Sequence, residues 1–144
     1  MPGLDPDGIR RFLAERFPQA LEWPLEIGPL VDDSVTIGLA VDDSHLRPGG
    51  TISGPVLMTL ADTAMYFLLL AKLGPIALAV TTSLHIDFLR RPEPRPITAK
   101  AELLKLGRTL AVGRVTLALA DDPRPVAHAS VTYALPPEPP SPSR

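Results

Sequence analysis

With 144 residues and a formal charge of −2, the chain can bury one sizeable core and carries no dominant basic face for nucleic acid. It has no cysteine, which excludes disulfide frameworks, thiolate metal sites and cysteine nucleophiles together. The opening Met-Pro-Gly-Leu-Asp-Pro-Asp lacks the basic and apolar regions of a secretory signal, so a cytoplasmic protein is expected.

In chain order, Asp7 to Phe17 places Ile9, Phe12 and Leu13 on one side of a short amphipathic helix. Trp23 to Leu30 and Ser34 to Val41 carry strand composition around an Asp32-Asp33 turn. A loop from Asp42 to Thr51 leads into Ser53-Gly54-Pro55, where Ser53 is a natural N-cap and Pro55 sits where a missing N–H is harmless. From Val56 to Leu73 the polar residues are only Thr59, Asp62, Thr63, Tyr66 and Lys72, which predicts a central, buried helix. The length of this stretch raises a membrane span, but Asp62 near its middle argues against one. Four strands then follow Gly74-Pro75: Leu78 to Leu89, Ile97 to Leu106, Thr109 to Ala120, and Val126 to Leu135. Leu106-Gly107-Arg108 and Asp121-Asp122-Pro123-Arg124 supply turns between them. Five of the prolines fall after Leu135, so residues 136–144 read as a disordered Pro-rich tail.

One long helix with five or six antiparallel strands gives an α+β class, and strands without intervening helices exclude a parallel βαβ sheet. Exposed strand edges favour oligomers. Within the helix, Thr59, Asp62, Thr63 and Tyr66 share one stripe, and an Asp on an inner stripe needs partners or a task. Satisfaction of Asp62 by Thr59, Thr63 or Tyr66, or by a backbone amide across an interface, is the structural alternative to a catalytic role.

Gly50-Thr51-x-x-Gly54, Leu60-Ala61-Asp62-Thr63-Ala64, Val80-Thr81, His85-Ile86-Asp87-Phe88-Leu89-Arg90 and Gly107-Arg108-Thr109 occur in this order. The pattern resembles hotdog-fold acyl-CoA thioesterases of the phenylacetate-degradation (PaaI-like) branch over roughly residues 22–135. The resemblance implies a hotdog fold, with an antiparallel sheet wrapped around the long helix, assembled as homodimers and homotetramers. Residues 1–21 would then form an N-terminal helical extension, residues 22–135 the thioesterase domain. It also implies hydrolysis of acyl-CoA at a dimer interface, with Asp62 as nucleophile or general base and a Thr81 hydroxyl near the reacting centre. The Gly54 N–H, at the positive end of the helix, would polarise the carbonyl. Two departures stand out: Ser53-Gly54-Pro55 replaces the common His-Gly-Gly, and Arg47 replaces a common upstream Asn.

Arg90, Arg91, Lys105 and Arg108, with Gly107 and Thr109 in the motif, would hold pantetheine and phosphates. Arg47, Ser53, Ser83 and Phe88 complete the expected substrate-binding set. Strict alternation places Thr81, Ser83, His85 and Asp87 on one face and Leu84, Ile86 and Phe88 on the other. His45, His85 and His128 lack metal-ligand spacing, so no metal is expected, and no cofactor beyond the CoA of the substrate. The alternatives are a non-catalytic acyl-CoA sensor and, more remotely, a hydratase, which lacks its usual His here. Gly54 and Asp62 are eight positions apart, about 12 Å along the helix, so one thioester can meet both only across two antiparallel helices of a two-fold dimer.

Overall fold

The computed structural model describes residues 2–137 of the chain. Most of the proposed tail, residues 138–144, lies outside the described residues.

Helix α1 (Pro6–Arg16) is capped by Asp5, whose carboxylate accepts from the Gly8 N–H at 2.7 Å. It buries Ile9, Phe12 and Leu13, and Leu4 just before it donates its N–H to the Leu70 carbonyl at 3.1 Å. The N-terminal segment therefore packs into the same core as the rest. A 3-10 turn over Pro18–Leu21, unforeseen in the sequence, leads to strand β1 (Leu25–Ile27). Strand β2 (Ser34–Leu39) pairs antiparallel to β1, and the connection uses left-handed Asp32 and Asp33, with φ of 49° and 58°.

Helix α2 (Gly54–Leu73) runs for 20 residues from its Ser53 cap to Gly74, where a φ of 98° ends it. It is long and apolar enough to cross a membrane, yet most of it is buried inside the chain's own sheet. Strands β3 (Val80–Phe88), β4 (Ile97–Leu106), β5 (Leu110–Leu119) and β6 (Pro125–Ala134) follow. All pairs are antiparallel, in the order β1-β2-β4-β5-β6-β3. Chain order is thus broken once: β3 skips β4 and takes the far edge beside β6. The sheet curls around α2 in the hotdog arrangement.

Alternation along β5 sends Ala111, Gly113, Val115, Leu117 and Leu119 inward, where they meet α2. Gly113 is needed for that approach: a Cβ there would lie 2.5 Å from the Met65 sulfur and 2.9 Å from the Glu102 carbonyl oxygen. Small inward residues on three neighbouring strands, including Ala99, Ala101, Ala127 and Ala129, leave room for the bulky α2 side chains Phe67, Leu68 and Leu69.

Candidate active site

The polar stripe of α2 is the side the sheet leaves open. Thr59 is exposed, Asp62 and Thr63 are half-buried, and only Tyr66 is buried, which corrects the expectation of an inner stripe. None of Thr59, Thr63 or Tyr66 satisfies Asp62; Thr59 instead donates to the Pro55 carbonyl at 3.0 Å. The partners of Asp62 come from the sheet. Thr81 Oγ1 donates to Asp62 Oδ1 at 2.5 Å, and the Tyr133 hydroxyl donates to the same oxygen at 2.9 Å. The Tyr133 hydroxyl also lies 3.2 Å from the Asp62 carbonyl oxygen. Among the described residues no donor meets Oδ2.

A β-bulge makes this possible. The pairing of β3 with β6 shifts between Thr81 and Ser83, so Thr82 is the extra residue. Thr81 stands opposite Tyr133 and turns inward with Leu84, Ile86 and Phe88, whereas Ser83, His85 and Asp87 face outward. This corrects the strict alternation expected for the strand: Thr81 and Ser83 do not share a face. His85 and Asp87 pair across 3.3 Å on the exposed side, away from Asp62.

Tyr133 is 4% exposed and stacks on Tyr66, with ring centroids 6.0 Å apart and planes inclined by 11°. Burial, then the adjacent Asp62 carboxylate, holds its hydroxyl proton well above the ordinary phenol range. Tyr66 is shifted in the same direction, by burial. With its proton retained, Tyr133 donates to Asp62.

Gly54 sits at the other end of β3. The Phe88 ring is 3.5 Å from where a Gly54 Cβ would lie, and Phe88 itself is 52% exposed. Ser53 accepts from the Val56 N–H at 3.4 Å, as an N-cap does. Pro55 offers no N–H, and the Gly54 N–H meets no acceptor among the described residues. The approach to this turn is fixed from both sides, by Ser53 N–H to the His45 carbonyl (3.0 Å) and Ile52 N–H to the Pro92 carbonyl (3.0 Å).

His45 is a site-supporting residue that reading the sequence for metal ligands passed over. It is 2% exposed, packs edge-on against Trp23 and accepts the Asp42 N–H on Nδ1 at 3.0 Å. The Asp42-x-x-His45 spacing is a capping box, and that was the available signal.

The remaining expected residues divide between the two ends of the sheet. Arg90 and Arg91 follow Phe88 at the Gly54 end, while Lys105 near the end of β4 and Gly107, Arg108 and Thr109 of the β4–β5 turn lie at the Thr81 end. Arg47 is exposed in the turn where Gly50 donates its N–H to the Arg47 carbonyl. One chain thus brings together Asp62, Thr81 and Tyr133, and separately Gly54, Ser53 and Phe88. Thr81 and Phe88 are roughly 23 Å apart along β3, from seven residues at about 3.3 Å each, and Asp62 and Gly54 are about 12 Å apart along α2. Beside the Asp62 stripe runs a groove of about 230 Å³, lined by Gln19, Glu22, Trp23, Thr59 and Thr63. Among the described residues no three His, Asp or Glu side chains converge as a metal site would require.

The thioesterase superfamily profile matches residues 49–133, spanning both groups of site residues. A solved candidate thioesterase from Silicibacter sp. TM1040 is 46% identical, covers 95% of each chain and superposes with a TM-score of 0.84. The fold is shared more distantly by zebrafish thioesterase superfamily member 2 (23% identity, 93% of this chain and 100% of that one, TM-score 0.79). It is shared also by the Escherichia coli PaaI protein of the phenylacetic acid degradation operon (21%, 87% and 93%, TM-score 0.72). No curated protein matches the chain. The chain belongs to the thioesterase superfamily, and thioester hydrolysis is the general activity that this membership supports.

Proposed function

We propose that the protein hydrolyses an acyl-CoA thioester to the free acid and CoA, at two equivalent sites formed across a two-fold dimer. The observation that carries this reading is the Asp62 carboxylate, held at Oδ1 by Thr81 and Tyr133 with Oδ2 free on the open side of α2. A carboxylate anchored through one oxygen can use the other to deprotonate water or to attack the thioester carbon. The electrophilic half of the site is the Gly54 N–H at the start of a 20-residue helix, where backbone and dipole together stabilise a developing oxyanion.

The dimer reading rests on edge strand β3. Among the described residues nothing pairs with its outer side, and Leu78, Val80, Phe88 and Leu89 around it are more than half exposed. Two β3 strands paired antiparallel would set the Gly54–Phe88 end of one chain beside the Asp62–Thr81 end of the other. The same operation would bring Arg90 and Arg91 of one chain toward Lys105 and Arg108 of its partner, uniting the basic groups for CoA phosphates. Further assembly into tetramers and a cytoplasmic location complete the proposal.

Asp62→Asn preserves the side-chain shape and removes the base. Release of free thiol from a panel of short, aromatic and long acyl-CoAs should fall by about a hundredfold or more in a folded variant. Unchanged turnover would sink the assignment of Asp62. The second reading, a non-catalytic acyl-CoA sensor, is favoured by Ser53, Pro55 and Arg47 standing where relatives of the pattern carry His, Gly and Asn. Acyl-CoA binding without thiol release across the panel would select it.

A further inference from the structure

The hydrolytic reading uses Asp62, and a buried tyrosine on the last strand also reaches this carboxylate. Tyr133 is drawn from β6, 71 positions away in sequence, and stands opposite Thr81 at the bulge. Its ring is fixed on one side by the parallel ring of Tyr66, 6.0 Å away. Its hydroxyl is the one polar atom it carries, and it is spent on Asp62, reaching both Oδ1 (2.9 Å) and the main-chain oxygen (3.2 Å). A phenol against an apolar wall needs a single partner; binding a side-chain and a main-chain oxygen of the same residue fixes how that side chain leaves the helix. With Thr81 Oγ1 on the same Oδ1, two donors from adjacent strands select one rotamer of Asp62.

We propose that Tyr133 is a positioning residue for the hydrolysis: it locks the Asp62 side chain to its own backbone through Oδ1, so that Oδ2 is presented toward the thioester. Tyr133 touches no reacting atom in this role. The inference rests on Asp62 being the reactive carboxylate, so its test is arranged to fail separately from that assignment.

Tyr133→Phe keeps the ring and its stacking on Tyr66 and deletes only the donor. A hydrogen bond to a charged group is lost, so kcat on the best acyl-CoA of the panel should fall about tenfold, with KM within about twofold. Losing a donor to the carboxylate disfavours its ionised form, so the acid limb of the kcat/KM profile should move to higher pH. A tyrosine that served only packing would lower the melting temperature and leave the pH profile in place. Wild-type kcat and an unmoved acid limb in folded Tyr133→Phe would overturn the proposal while leaving Asp62 intact; wild-type activity in Asp62→Asn would instead remove the reading beneath it.

A second measurement needs neither turnover nor a stable Phe variant. The chain has two tyrosines, so ring-labelled tyrosine gives two resolvable phenol signals. On Asp62→Asn the Tyr133 Cζ signal should shift as its charged acceptor becomes neutral, while that of Tyr66 moves less. An unmoved Tyr133 signal would mean that the hydroxyl is not engaged with the carboxylate, and would overturn the proposal whatever the kinetics.

Discussion

With Oδ1 of Asp62 taken by Thr81 and Tyr133, the proposed mechanism assigns the reactive role to its other oxygen. Two hydroxyl donors hold the carboxylate in one position, and its half-buried setting leaves it closer to solvent than the inner stripe first expected. Both tyrosines should keep their protons where a free phenol, with its ordinary value of 10.0, would be half ionised, because burial penalises the phenolate. Spectrophotometric titration of the native protein checks this: phenolate absorbance at that pH should fall clearly short of half the full tyrosine signal. Half the tyrosine signal ionised there would contradict the buried environment. Asp62 and Gly54 were legible in the sequence because both belong to one helix, whose cap and stripe are local patterns. Tyr133 was not legible, since its role depends on strand register across 71 positions and on a bulge that no alternation pattern displays.

Among the elements, α2 and the three strands β4, β5 and β6 set the geometry on which the site depends. The helix start, its Gly74 stop and the four later strands were readable to within a residue or two, since caps, turns and alternating apolar residues mark them. The position of β3 was not, because its exchange to the far edge is a matter of topology that no local pattern encodes. Close packing of α2 on β5 leads to a further prediction. Gly113→Ala must push a methyl group against the Met65 sulfur and, less yieldingly, the Glu102 carbonyl oxygen. The helix has to move away from the sheet, at a cost of about 1–3 kcal/mol. Chemical denaturation should register a lower midpoint with an unchanged slope. An unaltered midpoint would show that the helix–sheet spacing has slack, and that α2 is not held as tightly as the contacts require.

At the scale of the whole molecule, a single chain holds two half-sites at opposite ends of its edge strand. On the proposed mechanism each half needs the other, because among the described residues no oxyanion donor stands beside Asp62 and no base beside Gly54. The proposed two-fold dimer through β3 would supply both with one operation, and would cover the exposed Val80 and Phe88. The most direct test is complementation between two inactive variants. Asp62→Asn removes the base, and Gly54→Pro removes the N–H at the first helical position, where proline is tolerated; Ser53, at φ −73° and ψ 152°, already has the backbone that precedes a proline. In a heterodimer of the two, one site has both native groups and the other has neither. Each heterodimer should therefore recover about half the thiol-release activity of the wild-type dimer, one intact site of two. No recovery, with both variants folded and subunit exchange independently established, would contradict a site shared across the interface.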